Sequence, residues 1–113
     1  MLVAAIFLFL IAIAFGIAVL TALLEERSAP TRAIFLHGFM AATALLLVLI
    51  YLFINGTAPL LVASVTLLIL GALGGFTLFT LNRKGKPAPK LLVILHPIVA
   101  VSGLVILVIY VLP

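Results

Sequence analysis

The sequence has no cysteine and no tryptophan, and only 7% of its 113 residues are charged. Without cysteine there can be no disulfide, no covalently attached c-type haem and no thiolate-held iron–sulfur cluster. Without tryptophan, any anchoring at a membrane interface falls to other residues. The shortage of charge excludes most. A soluble domain carries about 25% charged residues, whereas this chain is 68% hydrophobic with a mean hydropathy of +1.64. It cannot cover a water-facing surface, so lipid is the expected solvent. There is no phosphate-binding loop. The only carboxylates, Glu25 and Glu26, are adjacent and lie outside the apolar runs, so no acid–base pair is available within a membrane.

The apolar sequence divides into four runs of the length needed to span a bilayer, about 20 residues each. They predict helices at about 2–24, 32–54, 59–81 and 91–112. The segment 25–31 ends the first, the Asn55-Gly56 turn separates the second from the third, and 82–90 precedes the fourth. The expected fold is an all-α integral membrane four-helix bundle forming one transmembrane domain over 1–113. The first run has no basic leader and is too long for a signal peptide, so it reads as a retained span. Asn55-Gly56-Thr57 fits a glycosylation pattern, but Asn-Gly is foremost a turn dipeptide.

All six basic residues fall in two segments. Arg27 and Arg32 belong to one, and Arg83, Lys84, Lys86 and Lys90 to the other. Alternating spans put both segments on one side, which the positive-inside rule makes cytoplasmic. Both termini then lie opposite, and the bacterial inner membrane is the expected location. The basic balance points to topology and anionic headgroups, with no nucleic-acid partner.

The chain also resembles itself. Sliding residues 1–54 onto 60–113, a shift of 59, needs no gap and gives 14 identical pairs. Apolar identities are cheap in such a sequence, so the rarer residues carry the argument. Ala29-Pro30 meets Ala88-Pro89, Gly16 meets Gly75, and Thr21 meets Thr80. The only two histidines, His37 and His96, coincide, and so do the only two tyrosines, Tyr51 and Tyr110. The expectation is two parallel-repeated helical hairpins, related by an axis along the membrane normal. The second and fourth helices would then be diagonally opposed.

His37 lies five residues past Arg32, and His96 six past Lys90. A rise of 1.5 Å per residue puts both roughly 8–9 Å inside the basic boundary. A lone interfacial histidine is most often a hydrogen-bonded boundary residue. Two at equal depth on facing helices are candidate metal ligands, since intramembrane ionisable groups are functional candidates and haem iron takes axial histidines. A porphyrin needs width, and small residues follow each histidine on its own face: Ala41 and Ala44 after His37, Ala100 and Gly103 after His96. The flanking helices carry Ala12 with Gly16 and Gly71 with Gly75. Small residues four apart commonly mean close helix packing, which does not conflict with clearance for a macrocycle. Arg32 and Lys90, on the ligand helices, are the expected propionate partners. Thr21 and Thr80 are candidates for a supporting hydrogen-bond role. Pro97 should bend the fourth helix, because it cannot donate to the Val93 carbonyl.

This pattern resembles the four-helix core of membrane b-type cytochromes, in which paired histidines on the second and fourth helices hold haem and glycines line its edges. The resemblance rests on His37, His96, Gly16 and Gly75, and it implies one bis-His haem b and one-electron transfer. A cytoplasmic reductase, a quinol or another membrane redox subunit would be the partner. One feature departs from the pattern. Such cytochromes usually carry a second histidine pair near the opposite surface, where this chain has Tyr51 and Tyr110, most simply aromatic-belt residues. An electron-transfer protein or subunit is therefore expected rather than a stand-alone enzyme. The competing readings are a non-catalytic accessory or assembly subunit of a membrane complex and, last, a minimal transporter.

Overall fold

Uninterrupted apolar runs favour helices, and prolines and glycines end them. The computed structural model describes residues 1–113 and is all-helical: α1 (Leu2–Leu24), α2 (Thr31–Asn55), α3 (Pro59–Arg83) and α4 (Lys90–Val111). Each helix is long and apolar enough to cross a membrane. Their boundaries follow local chemistry. Pro30 and Pro89 precede α2 and α4 with φ of −59° and −60°, so helix begins at the next residue, one earlier than expected in both cases. Pro59 occupies the first turn of α3, where a missing N–H costs nothing. That helix runs on to Arg83 because no breaker intervenes before Gly85. α4 stops at Val111, since Leu112 is extended at ψ 141°, the conformation favoured before a proline. Pro97 lies inside α4, which continues through it.

The ends of α1 and α3 are built alike. Glu25 N–H donates to the Thr21 carbonyl and Lys84 N–H to that of Thr80. Arg27 N–H reaches back to Ala22, and Lys86 N–H to Leu81, both at 2.9 Å. The residues between, Glu26 and Gly85, have φ of +56° and +69°, the left-handed conformation of this helix stop. Gly85 takes it freely, whereas Glu26 takes it against the steric preference of an L residue.

α1 packs on α2 and α3 on α4, and the two pairs meet through α2 against α3 and α1 against α4. α2 and α4 therefore stand diagonally. The molecule measures 42 × 23 × 21 Å, close to the thickness of a bilayer with its headgroups, about 40–45 Å. Its closed core lies towards the Asn55-Gly56 end, where Ala5, Ala44, Val48, Leu61 and Leu107 are fully buried. Ser64 is buried there too, and its hydroxyl donates to the Gly103 carbonyl at 2.8 Å. Large apolar side chains such as Phe7, Phe39, Phe53, Phe76 and Leu91 face outward. That surface is compatible with an integral membrane protein, as is the treatment of hydroxyls. Thr21, Thr43, Thr66, Thr77, Thr80 and Ser102 each bond the carbonyl four residues back, so no donor is left to face hydrocarbon.

Candidate cofactor site between α2 and α4

His37 and His96 point into the bundle from the two diagonal helices. Their ring centroids are 6.1 Å apart, with the planes at 89°. Each ring is held by the neighbouring helix of its own pair. His37 Nδ1 lies 2.7 Å from the Ala12 carbonyl on α1, and His96 Nδ1 lies 2.8 Å from the Gly71 carbonyl on α3. As donor in this bond, Nδ1 carries the proton, and Nε2 is left as the basic nitrogen without a protein partner. Metal-ligating histidines are oriented in this way by a backbone carbonyl.

A helical carbonyl already accepts from the N–H four residues on, so each of these oxygens receives a second bond at its other lone pair. The residues four on from Ala12 and Gly71 are Gly16 and Gly75. Helical Cα–Cβ bonds tilt towards the N-terminus, so a side chain at either position would lean over the carbonyl that the histidine uses. A Cβ on Gly16 would sit 2.9 Å from His37 Nδ1, and one on Gly75 would sit 2.8 Å from His96 Cε1. The two glycines thus make room for the imidazoles themselves.

Between the pairs of helices runs a cavity of about 1460 Å³, larger than the roughly 300–1,000 Å³ of most small-molecule sites. Its lining gathers His37, His96, Gly16, Gly75, Ala41, Ala100 and Lys90 from the residues expected at a site. Five others lie outside it. Ala44 and Gly103 lie three residues further along their helices than Ala41 and Ala100 and are not part of the lining, although Leu45, Leu49 and Leu104 beyond them are. Ala44 is fully buried in the closed core, and a Cβ on Gly103 would meet Leu68 at 3.0 Å. Thr21 and Thr80 spend their hydroxyls on Ile17 and Phe76, so the Ala12 and Gly71 carbonyls take the supporting role expected of them. Arg32 is exposed on the outer face of α2 and is no part of the lining; Arg27 and Lys86 are. The shift of 59 residues relates Arg27 to Lys86 and Ala12 to Gly71, so the signal for all four was present in the register. What register cannot supply is which way a loop side chain turns, or which backbone oxygen has a free lone pair.

The basic end also carries an aromatic cluster on one seam only. Phe35 of α2 meets Phe79 of α3 edge to face at 5.6 Å, with the Arg83 guanidinium 5.9 Å from the Phe35 ring. At the opposite end Tyr51 and Tyr110 share a cavity of about 330 Å³ with Met1, Leu2, Val3 and Val111.

The donor set determines what the site can hold. No cluster of three or more histidines, cysteines or carboxylates exists, so a bare zinc ion, which wants at least three protein ligands, is poorly served. A metal that brings its own equatorial ligands needs only two axial nitrogens. Two imidazoles sharing such a metal through opposed nitrogens have centroids roughly 6 Å apart, taking about 2.0 Å per metal–nitrogen bond and about 1.1 Å from nitrogen to centroid. The observed 6.1 Å suits this. Edge-to-face ring packing would also accept that distance. The unpartnered Nε2 atoms, the tethered Nδ1 atoms and the surrounding cavity favour a ligand-binding arrangement. The residues therefore fit a bis-His haem. No known protein family matches the chain, and no curated protein and no solved structure is detectably similar to it.

Proposed function

We propose that the protein is a membrane b-type cytochrome, holding one haem between His37 and His96 for one-electron transfer. The observation that carries this reading is the pair of imidazoles on diagonal helices, 6.1 Å apart, each fixed through Nδ1 to a carbonyl of the helix packed beside it, α1 for His37 and α3 for His96. When bound there, haem b would supply an iron that gains or loses one electron. The chain's own contribution is to hold two ligand nitrogens still. Tethering Nδ1 fixes tautomer and ring direction and limits rearrangement between oxidation states. The apolar walls keep water from the metal layer, and the basic mouth offers charge to carboxylates.

On this reading the four helices span the membrane as two repeated hairpins, and the axis between them makes the histidines equivalent. The repeated register and the matching turns after α1 and α3 support it. The basic loops face the cytoplasm of a bacterial inner membrane, so the haem lies near the cytoplasmic side. A cytoplasmic reductase, a quinol or another membrane redox subunit would exchange the electron. The far end, with Tyr51 and Tyr110, has no histidine pair, so one chain carries a single haem and no relay across the full bilayer.

The test is an absorption spectrum of the protein purified from haem-replete cells, oxidised against dithionite-reduced. A Soret band with low-spin reduced peaks is expected in the wild type. It should disappear in His37→Ala and His96→Ala, while helix content and membrane insertion persist. Wild-type protein without such a band would leave the accessory-subunit reading in its place.

A further inference from the structure

Arg27 and Lys86 stand 59 residues apart and leave their helices through the same turn. Each sits one residue past a positive-φ position, Glu26 or Gly85. Each N–H is tied to the carbonyl five residues back, Ala22 or Leu81, at 2.9 Å. This turn carries both residues to the rim of the histidine cavity, whereas Arg32, Arg83 and Lys84 lie outside it. The rim is otherwise polar only through Glu26, Asn82 and Lys90, and the body of the cavity is apolar. Glu26 adopts its left-handed conformation without the freedom of glycine, and non-glycine residues so held concentrate at functional sites.

An apolar cavity whose rim gathers Arg27, Lys86 and Lys90 at one end recognises a flat apolar body bearing anionic groups along one edge, and of these cations Arg27 and Lys86 alone occupy equivalent positions after α1 and α3. Resting on the cytochrome reading, we propose that Arg27 and Lys86 form a two-point clamp for the two propionate carboxylates of haem. This clamp fixes which edge of the ring faces the basic end. The two cations are not equal. Arg27 Nε is already bonded to Glu25 at 2.9 Å, which orients its fork and offsets part of its charge. Lys86 has no carboxylate partner, so it contributes the larger share of the attraction. Arg27 contributes planar, two-pronged geometry.

The experiment titrates purified wild type, Lys86→Ala, Arg27→Ala/Lys86→Ala and Arg32→Ala with haem and, separately, with haem dimethyl ester, following the Soret band at low ionic strength. Haem should bind Lys86→Ala about fivefold more weakly and the double variant more than about tenfold more weakly, the range expected of partly exposed ion pairs. The ester, which lacks the charges, should bind wild type and double variant alike, showing that the variant retains its fold. Arg32→Ala should match wild type. The clamp is overturned if the double variant binds haem as tightly as wild type, if Arg32→Ala weakens binding as much as Lys86→Ala, or if wild type binds haem and ester equally. In those cases a Soret band in the wild type leaves the bis-His site standing. No band in the wild type with either ligand overturns both.

Discussion

Replacing Gly75 with alanine adds one methyl group to a helix, a change that by propensity alone stabilises by about 1 kcal/mol. Here its cost comes from position. The new Cβ would lie 2.8 Å from His96 Cε1 and 3.3 Å from Nε2, and ordinary contact begins at 3.4 Å. The ring must therefore retreat by about 0.6 Å, a distance that follows from that contact limit. It cannot swing freely, because Nδ1 is held at 2.8 Å by the Gly71 carbonyl. Releasing that bond costs about 0.5–1.5 kcal/mol, and forcing a methyl into a packed site costs about 1–3 kcal/mol. After the propensity gain the net loss of stability is about 0.5–3.5 kcal/mol. Ligation is affected more than folding, since metal–ligand distances tolerate only about ±0.2 Å. On the proposed haem-binding reading, Gly75→Ala should thus remain folded and helical but bind far less haem, measured as haem per polypeptide alongside thermal unfolding in detergent. Gly38→Ala is the control, for its Cβ would meet nothing within 4 Å; it should keep full haem and unfold at the same or a higher temperature. If Gly75→Ala holds haem with wild-type affinity and spectrum, or if Gly38→Ala is equally damaging, the account of the glycine as space for the imidazole is wrong.

Two further outcomes follow from the packing. Ser64→Ala leaves the buried Gly103 carbonyl without its 2.8 Å hydroxyl partner, although that oxygen keeps its helical bond. A loss of about 1 kcal/mol is expected in unfolding measurements, with no change in the absorption spectrum, because Ser64 does not line the cavity. Glu26→Gly relieves a left-handed φ of +56° and should raise stability by about 1 kcal/mol. A destabilised Glu26→Gly would mean that the carboxylate itself does structural service at the rim, and equal unfolding of Ser64→Ala and wild type would remove the hydroxyl from the list of stabilising contacts.

The candidate site was legible in the sequence where it depended on periodicity and not where it depended on direction. His37 and His96 could be paired because the 59-residue self-alignment equates them. The small residues near them could be found because helical spacing is regular. Ala44 and Gly103 were placed at the site on the same logic, yet Ala44 turns into the closed core and Gly103 packs against Leu67 and Leu68, while their neighbours Leu45 and Leu104 line the cavity. Thr21 and Thr80 carry hydroxyls suited to a supporting bond, but a helix offers its own carbonyl four residues back at lower cost. Arg32 was favoured for sharing a helix with His37, whereas the turn after α1 sends Arg27 to the rim.

By itself the sequence determined four helices, each long and apolar enough for a bilayer, because a chain this poor in charge can satisfy its backbone in lipid only by helix formation. It also determined the register that equates one half with the other. Tertiary structure alone decided that the imidazoles lie 6.1 Å apart, that the Ala12 and Gly71 carbonyls hold them, and that Gly16 and Gly75 clear their path. These are distances between helices, and they depend on how closely each pair packs and how it is rotated. Apolar composition constrains neither, because nearly every face of these helices is apolar.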